Sequence, residues 1–447
     1  MLTHRRNPIV HRGKEGTMSI SEFDTSEEFA NALDSKDSLA RFRSRFYTPK
    51  HGIYVDGNSL GLLSNDSENA VLRILDEWKT LGIRGWLEAK HPWFYLAEEL
   101  GAKCAKLVGA KPQEVVATGT TTVNIHSLIN TFYNPTAEKK TILADKLTFP
   151  TDIYALRSLV HLRGLNPEDN LVLASGTDGR FLEEEKIIDQ MDNTTALVFL
   201  PSVLYRSGQL LNIKYLTEQA HDRGIPIGFD CSHTVGVVPH QFDKWDVDFA
   251  VWCSYKYLNG GPGSTAFLYV NEKHFDREPA FAGWFGYVKN RQFDLAIEFE
   301  HARSAGGWQI SSPAILSSAP LQGSLDIILE AGIESIRQKS LKITSYLMYL
   351  VDELLSKKPY DFSVGTPREA ERRGGHVAVE HKEAMRISEA LRARGVICDF
   401  RPPNIIRIAP APLYNTFHEV WQLVQHLKDI IQDREYERIG EQRKPIS

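Results

Sequence analysis

The chain is short of the features that mark secreted, membrane-spanning and nucleic-acid-binding proteins. Its 447 residues include only four cysteines, Cys104, Cys231, Cys253 and Cys398, and none of them forms a CxxC pair. This pattern predicts reduced thiols and a cytoplasmic location rather than a disulfide framework. No run approaches the roughly 18 apolar residues of a membrane helix. A net charge of −5 argues against nucleic acid as the main partner.

The two ends of the chain differ from the rest in composition. Residues 1–17 are basic and polar and lack the apolar core of a signal peptide, and Met18 follows them directly. Either the first residues form a tail or translation begins at Met18. We predict a disordered tail over residues 1–25 and a charged, frayed tail over residues 433–447.

Strands and helices alternate between residues 114 and 270, and this spacing predicts a mainly parallel sheet covered on both faces. After residue 311, two long helical patterns precede a set of shorter strands and helices, among them a strand predicted over 396–400. We therefore predict a large domain over 51–310, a small α+β domain over 311–432, and a helical segment over 26–50 that joins the small domain. The strands of the large domain are predicted at 115–117, 141–143, 196–200, 225–230, 249–253 and 266–270.

One lysine stands where an apolar strand meets a glycine-rich turn. The predicted strand 249–253 precedes Lys256, and residues 259–263 (NGGPG) follow it. A lysine in this place is partly desolvated, which disfavours the ammonium form and frees the amine as a nucleophile. The alternative is a surface lysine at the end of a strand.

A carboxylate ends the preceding predicted strand, because Asp230 is the last residue of the run 225–230. Pyridoxal phosphate needs a lysine for its aldehyde and a carboxylate that keeps its pyridine nitrogen protonated. Two neighbouring strands that end in Asp230 and Lys256 supply both groups at the sheet edge where ligands bind. The alternative for Asp230 and His233 is a helix cap or half of a metal site. No Cys or His cluster completes a ligand set, so we predict no metal.

Three motifs together resemble the kynureninase family: residues 228–233 (GFDCSH), 252–259 (WCSYKYLN) and 283–286 (GWFG). The resemblance extends from about residue 34 to about residue 430. It implies the α/β fold of the fold-type I pyridoxal-phosphate-dependent transferases, with a seven-stranded, mainly parallel sheet in the large domain and a smaller α+β C-terminal domain. It also implies a homodimeric hydrolase that cleaves the Cβ–Cγ bond of L-kynurenine or 3-hydroxykynurenine, in tryptophan catabolism or NAD biosynthesis.

A phosphate site is predicted at residues 119–124 (GTTTVN), directly before a predicted helix. The free amides and partial positive charge of a helix N-terminus suit a phosphate. Three threonines that only cap the helix are the alternative. The resemblance assigns the phosphate contacts to Thr121, Thr122 and Tyr255.

The segment 148–152 (TFPTD) resembles the family segment in which an aromatic ring, here Phe149, stacks on the pyridine ring. Asp152 and His233 are expected beside the ring and the lysine, where they tune protonation. The implied catalytic residues are Lys256, Asp230, Asp152 and Tyr255.

Arg407 lies in an otherwise apolar segment, 404–415 (NIIRIAPAPLYN), that resembles the C-terminal signature of the family. An arginine in such a strand is costly unless it is paired, and its guanidinium can bind a carboxylate with two hydrogen bonds. The resemblance implies that Arg407, Ser59 and Trp86 bind the substrate. It also implies that Trp284 and Ser312 reach the cofactor of the neighbouring subunit. Trp86 is typical of the bacterial members, whereas animal members tend to carry a histidine there and an asparagine in place of Ser312.

Two other functions remain open from the sequence. One is a different enzyme of the same superfamily, such as an aminotransferase or a cysteine desulfurase. A desulfurase needs a cysteine on a mobile loop, and Cys398 begins a predicted strand instead. The other is a relative that binds a ligand without catalysis, against which the presence of Lys256, Asp230 and Arg407 argues.

Overall fold

The computed structural model describes residues 23–176 and 178–440. The predictions for the first 22 and the last seven residues of the two tails lie outside the described residues. The helices are α1 (Glu27–Ser35), α2 (Asn65–Leu81), α3 (Gly85–Glu88), α4 (Leu96–Val108), α5 (Thr121–Phe132), α6 (Pro150–Leu162), α7 (Pro167–Asn170), α8 (Glu184–Ile188), α9 (Ile213–His221), α10 (Ile315–Ala331), α11 (Ile333–Leu355), α12 (Ala384–Ala393) and α13 (Phe417–Gln432). The strands are β1 (Ile53–Tyr54), β2 (Val115–Ala117), β3 (Thr141–Asp145), β4 (Leu171–Ala174), β5 (Thr195–Pro201), β6 (Ile227–Asp230), β7 (Phe249–Trp252), β8 (Phe267–Val270), β9 (Ser363–Val364), β10 (Val377–Glu380), β11 (Val396–Ile397), β12 (Asp399–Arg401) and β13 (Ile405–Ile408).

A seven-stranded sheet forms the centre of the larger part, in the order β2-β8-β7-β6-β5-β3-β4. Strands β4, β3, β5, β6 and β7 are parallel, and β8 pairs antiparallel with both β7 and β2. Every residue of β3, β5 and β7 is buried, as expected for parallel strands covered by helices on both faces. The prediction of a mainly parallel, seven-stranded α/β sheet is confirmed.

A second sheet of four antiparallel strands, β12-β13-β10-β9, packs with α11, α12 and α13 around its own apolar core. The N-terminal segment contributes Phe23, Ala30 and Leu33 to that core. The predicted single strand over 396–400 is instead divided, because β11 pairs with β1 while β12 pairs with β13. Cys398 lies between the two halves, where the chain passes from one sheet to the other.

Three segments differ from the predicted organisation. Helix α10, assigned to the small domain, packs against α2 and α4 and buries its apolar residues in the core of the large sheet. The helical pattern over 26–49 forms α1 and a separate 3-10 segment, Ala40–Arg45. The described part of the charged tail is also not frayed, because Glu435 in a short 3-10 turn pairs with Arg394 of the small domain at 2.7 Å.

Within the described ranges, no helix combines the length and the apolar character that crossing a membrane requires. Residues at or after the carboxyl ends of β5, β6 and β7 face residues of the small-domain strands β12 and β13. The space between them contains the polar residues considered next.

Candidate active site

A cavity of about 250 Å³ lies beyond the carboxyl ends of the parallel strands. Nine of the predicted site residues line it, contributed by both the large sheet and the small domain. The lining residues are Asn58, Ser59, Thr121, Thr122, Phe149, Thr151, Tyr205, Asp230, Ser232, His233, Tyr255, Lys256, Arg401 and Arg407.

Lys256 lies in the turn after β7 and faces a histidine. The distance between its Nζ and Nε2 of His233 is 3.0 Å. Burial, and then the positive charge of Lys256, hold the pKa of His233 well below its ordinary value. The imidazole is therefore neutral, and its Nε2 can accept a hydrogen bond from the lysine. This contact fixes the amine above the carboxyl ends of the strands.

Asp230 lines the cavity, and Asp152 is buried beside it, outside the lining. Asp230 ends β6, and its Oδ1 accepts a hydrogen bond from the amide of Ser232 at 2.8 Å. Asp152 is buried, accepts a hydrogen bond from the Thr148 hydroxyl at 2.7 Å, and has its other carboxyl oxygen without a partner among the described residues.

The two carboxyl groups differ in their charge environment. Burial and the neighbouring Asp230 raise the pKa of Asp152 well above its ordinary value. Burial also raises the pKa of Asp230, but Lys256 opposes that shift more directly. Asp152 is therefore the more readily protonated of the two, and Asp230 is the better site for a negative charge.

Two of the predicted phosphate residues, Thr121 and Thr122, lie at the start of a helix, and the third, Tyr255, lines the cavity from the turn after β7. Thr121 is the first residue of α5, and the hydroxyl of Thr122 lies 3.0 Å from the hydroxyl of Thr151 in the first turn of α6. Thr120, the residue that precedes α5, makes no side-chain cap bond. Two helix N-termini and several hydroxyls thus face the cavity, which is a favourable arrangement for an anion.

Phe149 supplies an aromatic wall. It directly precedes α6, and 45% of its surface is exposed although it borders a cavity. Its ring meets that of Tyr205 edge-on, with centroids 5.4 Å apart. The exposed ring can stack on a planar ligand.

Arg407 enters the cavity from β13. Its Nη1 donates to the Tyr205 carbonyl at 2.9 Å, and its Nη2 donates to the Ser59 hydroxyl at 2.9 Å. Nη2 also pairs with Asp399, and the side chain is only 2% exposed. The costly buried arginine predicted from the sequence is therefore paired.

Four predicted residues are absent from the lining of this cavity, and one of them, Asp152, is buried beside Asp230. Trp86, Trp284 and Ser312 line a separate groove of about 480 Å³ together with apolar residues such as Phe285 and Phe293. In one copy of the chain, these three residues are therefore separated from the cavity that Lys256 and Asp230 line.

The sequence missed five lining residues, of which Asn58, Tyr205 and Arg401 matter most. Asn58 is fully buried, and neither its amide oxygen nor its nitrogen has a partner among the described residues. Asn58 adjoins the predicted Ser59, and Tyr205 follows a predicted strand by a few residues. Their closeness in sequence to these predicted features is the signal that could have identified Asn58 and Tyr205. The remaining two are Thr151 and Ser232.

The residues of the cavity fit pyridoxal phosphate. Threonine hydroxyls and two helix N-termini suit its phosphate, Asp230 suits its pyridine nitrogen, and Lys256 suits its aldehyde. The unpartnered Asn58 and Nδ1 of His233 are the kind of buried polar atoms that a ligand satisfies.

The sheet order, with the lysine and the aspartate at neighbouring strand ends, defines a pyridoxal-phosphate-dependent enzyme of fold type I. The apo structure of a cysteine desulfurase from Thermococcus onnurineus shares this fold, with a TM-score of 0.74 and 18% identity over 88% of this chain and 98% of that one.

A kynureninase from Geobacillus thermodenitrificans is 52% identical over 430 residues, which is 96% of this chain and 100% of that protein. A kynureninase from Bacillus thuringiensis subsp. konkukian is 53% identical over 95% of this chain and 99% of that protein. A family model described as the kynureninase C-terminal domain matches residues 336–427. The chain belongs to the kynureninase family.

Proposed function

We propose that this protein is a kynureninase, which hydrolyses L-kynurenine to anthranilate and L-alanine. The observation that carries the proposal is the single cavity lined by Lys256, Asp230 and Arg407, in a chain 52% identical to a named kynureninase over nearly its full length. These three groups provide an amine for a carbonyl, a carboxylate for the pyridine nitrogen and a carboxylate-binding cation.

The cofactor proposed for this cavity is pyridoxal phosphate, which when bound supplies an electron sink for the bonds of the substrate Cα. Thr121, Thr122 and Tyr255 would hold the phosphate. Phe149 would cover one face of the ring. Asp230 would keep the pyridine nitrogen protonated, and Asp152 beside it is the more readily protonated of the two carboxyl groups.

Lys256 is the group proposed to remove and return the proton at the substrate Cα. His233 supports this role, because its neutral Nε2 lies 3.0 Å from Nζ and holds the amine in place. Arg407 and Ser59 would orient the substrate through its carboxylate. The γ-carbonyl would then take up water. Cleavage of the Cβ–Cγ bond would leave the water oxygen in the carboxyl group of anthranilate, and a proton would take the place of the broken bond at Cβ to give L-alanine.

A cysteine desulfurase is the main alternative, since the fold is shared with that class. A desulfurase requires an accessible thiol to accept sulfur. The four cysteines of the chain are all free and buried, and burial raises the pKa of Cys398 far above its usual range. None of these thiols suits that chemistry.

The apolar groove around Trp284 supports a homodimer with shared sites. Large apolar side chains beside it are unusually exposed, including Ile83 at 80% and Phe293 at 75%. Exposed apolar patches of this kind mark interfaces, and two-fold pairs are the commonest assembly. Trp86, Trp284 and Ser312 would then reach the partner's cavity.

The direct test is release of anthranilate by purified protein incubated with pyridoxal phosphate and L-kynurenine. The same assay with 3-hydroxykynurenine and release of 3-hydroxyanthranilate measures the preference between the two substrates. Sulfide release from cysteine is measured in parallel. Anthranilate formation without sulfide release is expected, and the reverse result would assign the alternative function.

A further inference from the structure

Asp399 lies directly opposite Arg407 across the antiparallel pair β12–β13. Opposed residues in such a pair project from the same face of the sheet, and so do residues two apart on one strand. Asp399, Arg407 and also Arg401 therefore meet on one face. Asp399 was absent from the predicted site.

One carboxyl oxygen of Asp399 receives three donors. Its Oδ2 pairs with Nη2 of Arg407, accepts from Nη2 of Arg401 at 2.7 Å, and accepts from the Ser59 hydroxyl at 3.0 Å. The side chains of Asp399 and Arg407 are each 2% exposed. Charge-assisted hydrogen bonds in so buried a position are strong and directional.

Without this carboxylate, the buried guanidinium of Arg407 and the partly exposed guanidinium of Arg401 would face each other as two unpaired cations. Burial lowers the pKa of Arg407, Asp399 opposes that change, and Arg401 adds to it. Asp399 thus offsets the repulsion between the two guanidinium groups. It also limits the orientations that each group can adopt.

The arginines retain donors that no described residue satisfies. Nε of Arg401 and Nε of Arg407 are both buried without an acceptor in the described part of the chain. Both residues line the cavity. Buried donors without acceptors beside a cavity indicate an anionic ligand.

We propose that Asp399 is a positioning residue that holds Arg401 and Arg407 as a joint binding site for the carboxylate of an amino-acid substrate. The inference rests on the proposed function, because it concerns the substrate of that reaction. It assigns to Arg401 a direct contact with the substrate and to Asp399 an action through the two arginines.

The test compares two ligands that differ only in the carboxylate, L-alanine and ethylamine. Their binding to the holoenzyme is titrated through the absorption of the bound cofactor. In Asp399→Asn, the affinity for L-alanine should fall about 10-fold while that for ethylamine changes less than about 2-fold, because only the charge-assisted contact weakens. KM for L-kynurenine should rise by a similar factor, with a smaller change in kcat. Arg401→Gln should show a smaller loss with the same selectivity.

Two further variants keep the test decisive. Asp352→Asn removes an exposed aspartate paired with Arg368 at 2.6 Å and serves as the surface control. If Asp399→Asn does not fold, the double variant Asp399→Asn/Arg401→Gln removes one charge of each sign and should fold with the same selective loss.

An unchanged preference for L-alanine in the folded variant would overturn the inference, and so would an equal loss for both ligands. Failure of the proposed function has a different signature. In that case the wild-type protein releases no anthranilate, yet it still binds L-alanine more tightly than ethylamine.

Discussion

At the scale of single residues, the cavity contains one amine in contact with a neutral base. Replacement of Lys256 by alanine should abolish covalent attachment of pyridoxal phosphate, because the two other cationic side chains that line the cavity, Arg401 and Arg407, cannot form such a bond. Borohydride reduction followed by peptide mass spectrometry measures the attachment. Lys103→Ala, at an exposed ion pair with Asp326, is the control and should label like the wild type. Cofactor found on another lysine of the wild-type protein would contradict the assignment.

Arg407 is predicted to act on the substrate rather than on the cofactor. An ammonium group cannot reproduce the contacts that its guanidinium makes with Tyr205, Ser59 and Asp399. Arg407→Lys should raise KM for L-kynurenine at least about 10-fold, corresponding to the loss of one charge-assisted hydrogen bond. Cofactor content, measured from the absorption spectrum, should stay within error of the wild type. Unchanged kinetics would remove Arg407 from the substrate site.

Asp145 provides a prediction of pH dependence. This residue ends β3, is fully buried, and has one carboxyl oxygen without a partner among the described residues. Burial raises its pKa to about 7 from an ordinary value of 3.8. Since the folded-state pKa is the higher one, the group's contribution to stability decreases as the pH rises from about 4 through about 7.

Asp145→Asn keeps the acceptor for the Leu147 amide but cannot ionise. Relative to the wild type, the variant should gain about 2 kcal/mol in free energy of unfolding between about pH 5 and about pH 8. Urea unfolding at the two pH values measures this change, with Asp352→Asn as the control. An equal difference between variant and wild type at both pH values would contradict the raised pKa.

At the scale of elements, helices α2 and α10 approach each other closely at Gly323. A Cβ atom on Gly323 would lie 2.3 Å from the backbone carbon of Asp66. Gly323→Ala should therefore destabilise the protein by about 1–3 kcal/mol through overpacking, although alanine favours a helix by about 1 kcal/mol. Thermal unfolding measures the loss. Ser324→Ala in the same helix removes a buried hydroxyl that has no partner in the described ranges, and it should cost little. Equal stability of both variants would show that the helices can separate at no cost.

Six of the seven strands of the large sheet could be predicted from the sequence to within about two residues, because their apolar runs are buried on both faces. Strand β4 was missed, since it is short, lies at the sheet edge and has a half-exposed centre. The division of 396–400 could not be predicted, because it depends on which of two sheets each half joins.

The residues of the site likewise fall into those that could be predicted from the sequence and those that could not. Lys256 and Asp230 were found because each follows an apolar strand, and strand ends meet at one edge of a parallel sheet. Asp399 was not found, because its importance depends on the register that sets it opposite Arg407. Register between strands far apart in the chain is a property of the folded sheet, and no local pattern encodes it.

At the scale of the whole molecule, one copy of the chain separates the predicted site residues into two places. Lys256 and Asp230 line the cavity, whereas Trp284 and Ser312 line the apolar groove. The proposed two-fold dimer would bring the groove of one copy to the cavity of the other. Each active site would then need residues from both chains, and this requirement can be tested by mixing defective chains.

Lys256→Ala and the double variant Trp284→Ala/Ser312→Ala should each be nearly inactive as homodimers. In a mixed dimer, one site carries both defects, while the other takes its lysine from one chain and its tryptophan and serine from the partner. Co-refolding the two variants should therefore restore part of the anthranilate release. The matched control mixes Lys256→Ala with Asp230→Ala, whose defects lie in the cavity of the same chain, so that no site is whole and no activity returns. Native mass spectrometry reports whether the mixed dimer forms. A mixed dimer of the first pair that forms and stays inactive would show that Trp284 and Ser312 act within their own chain.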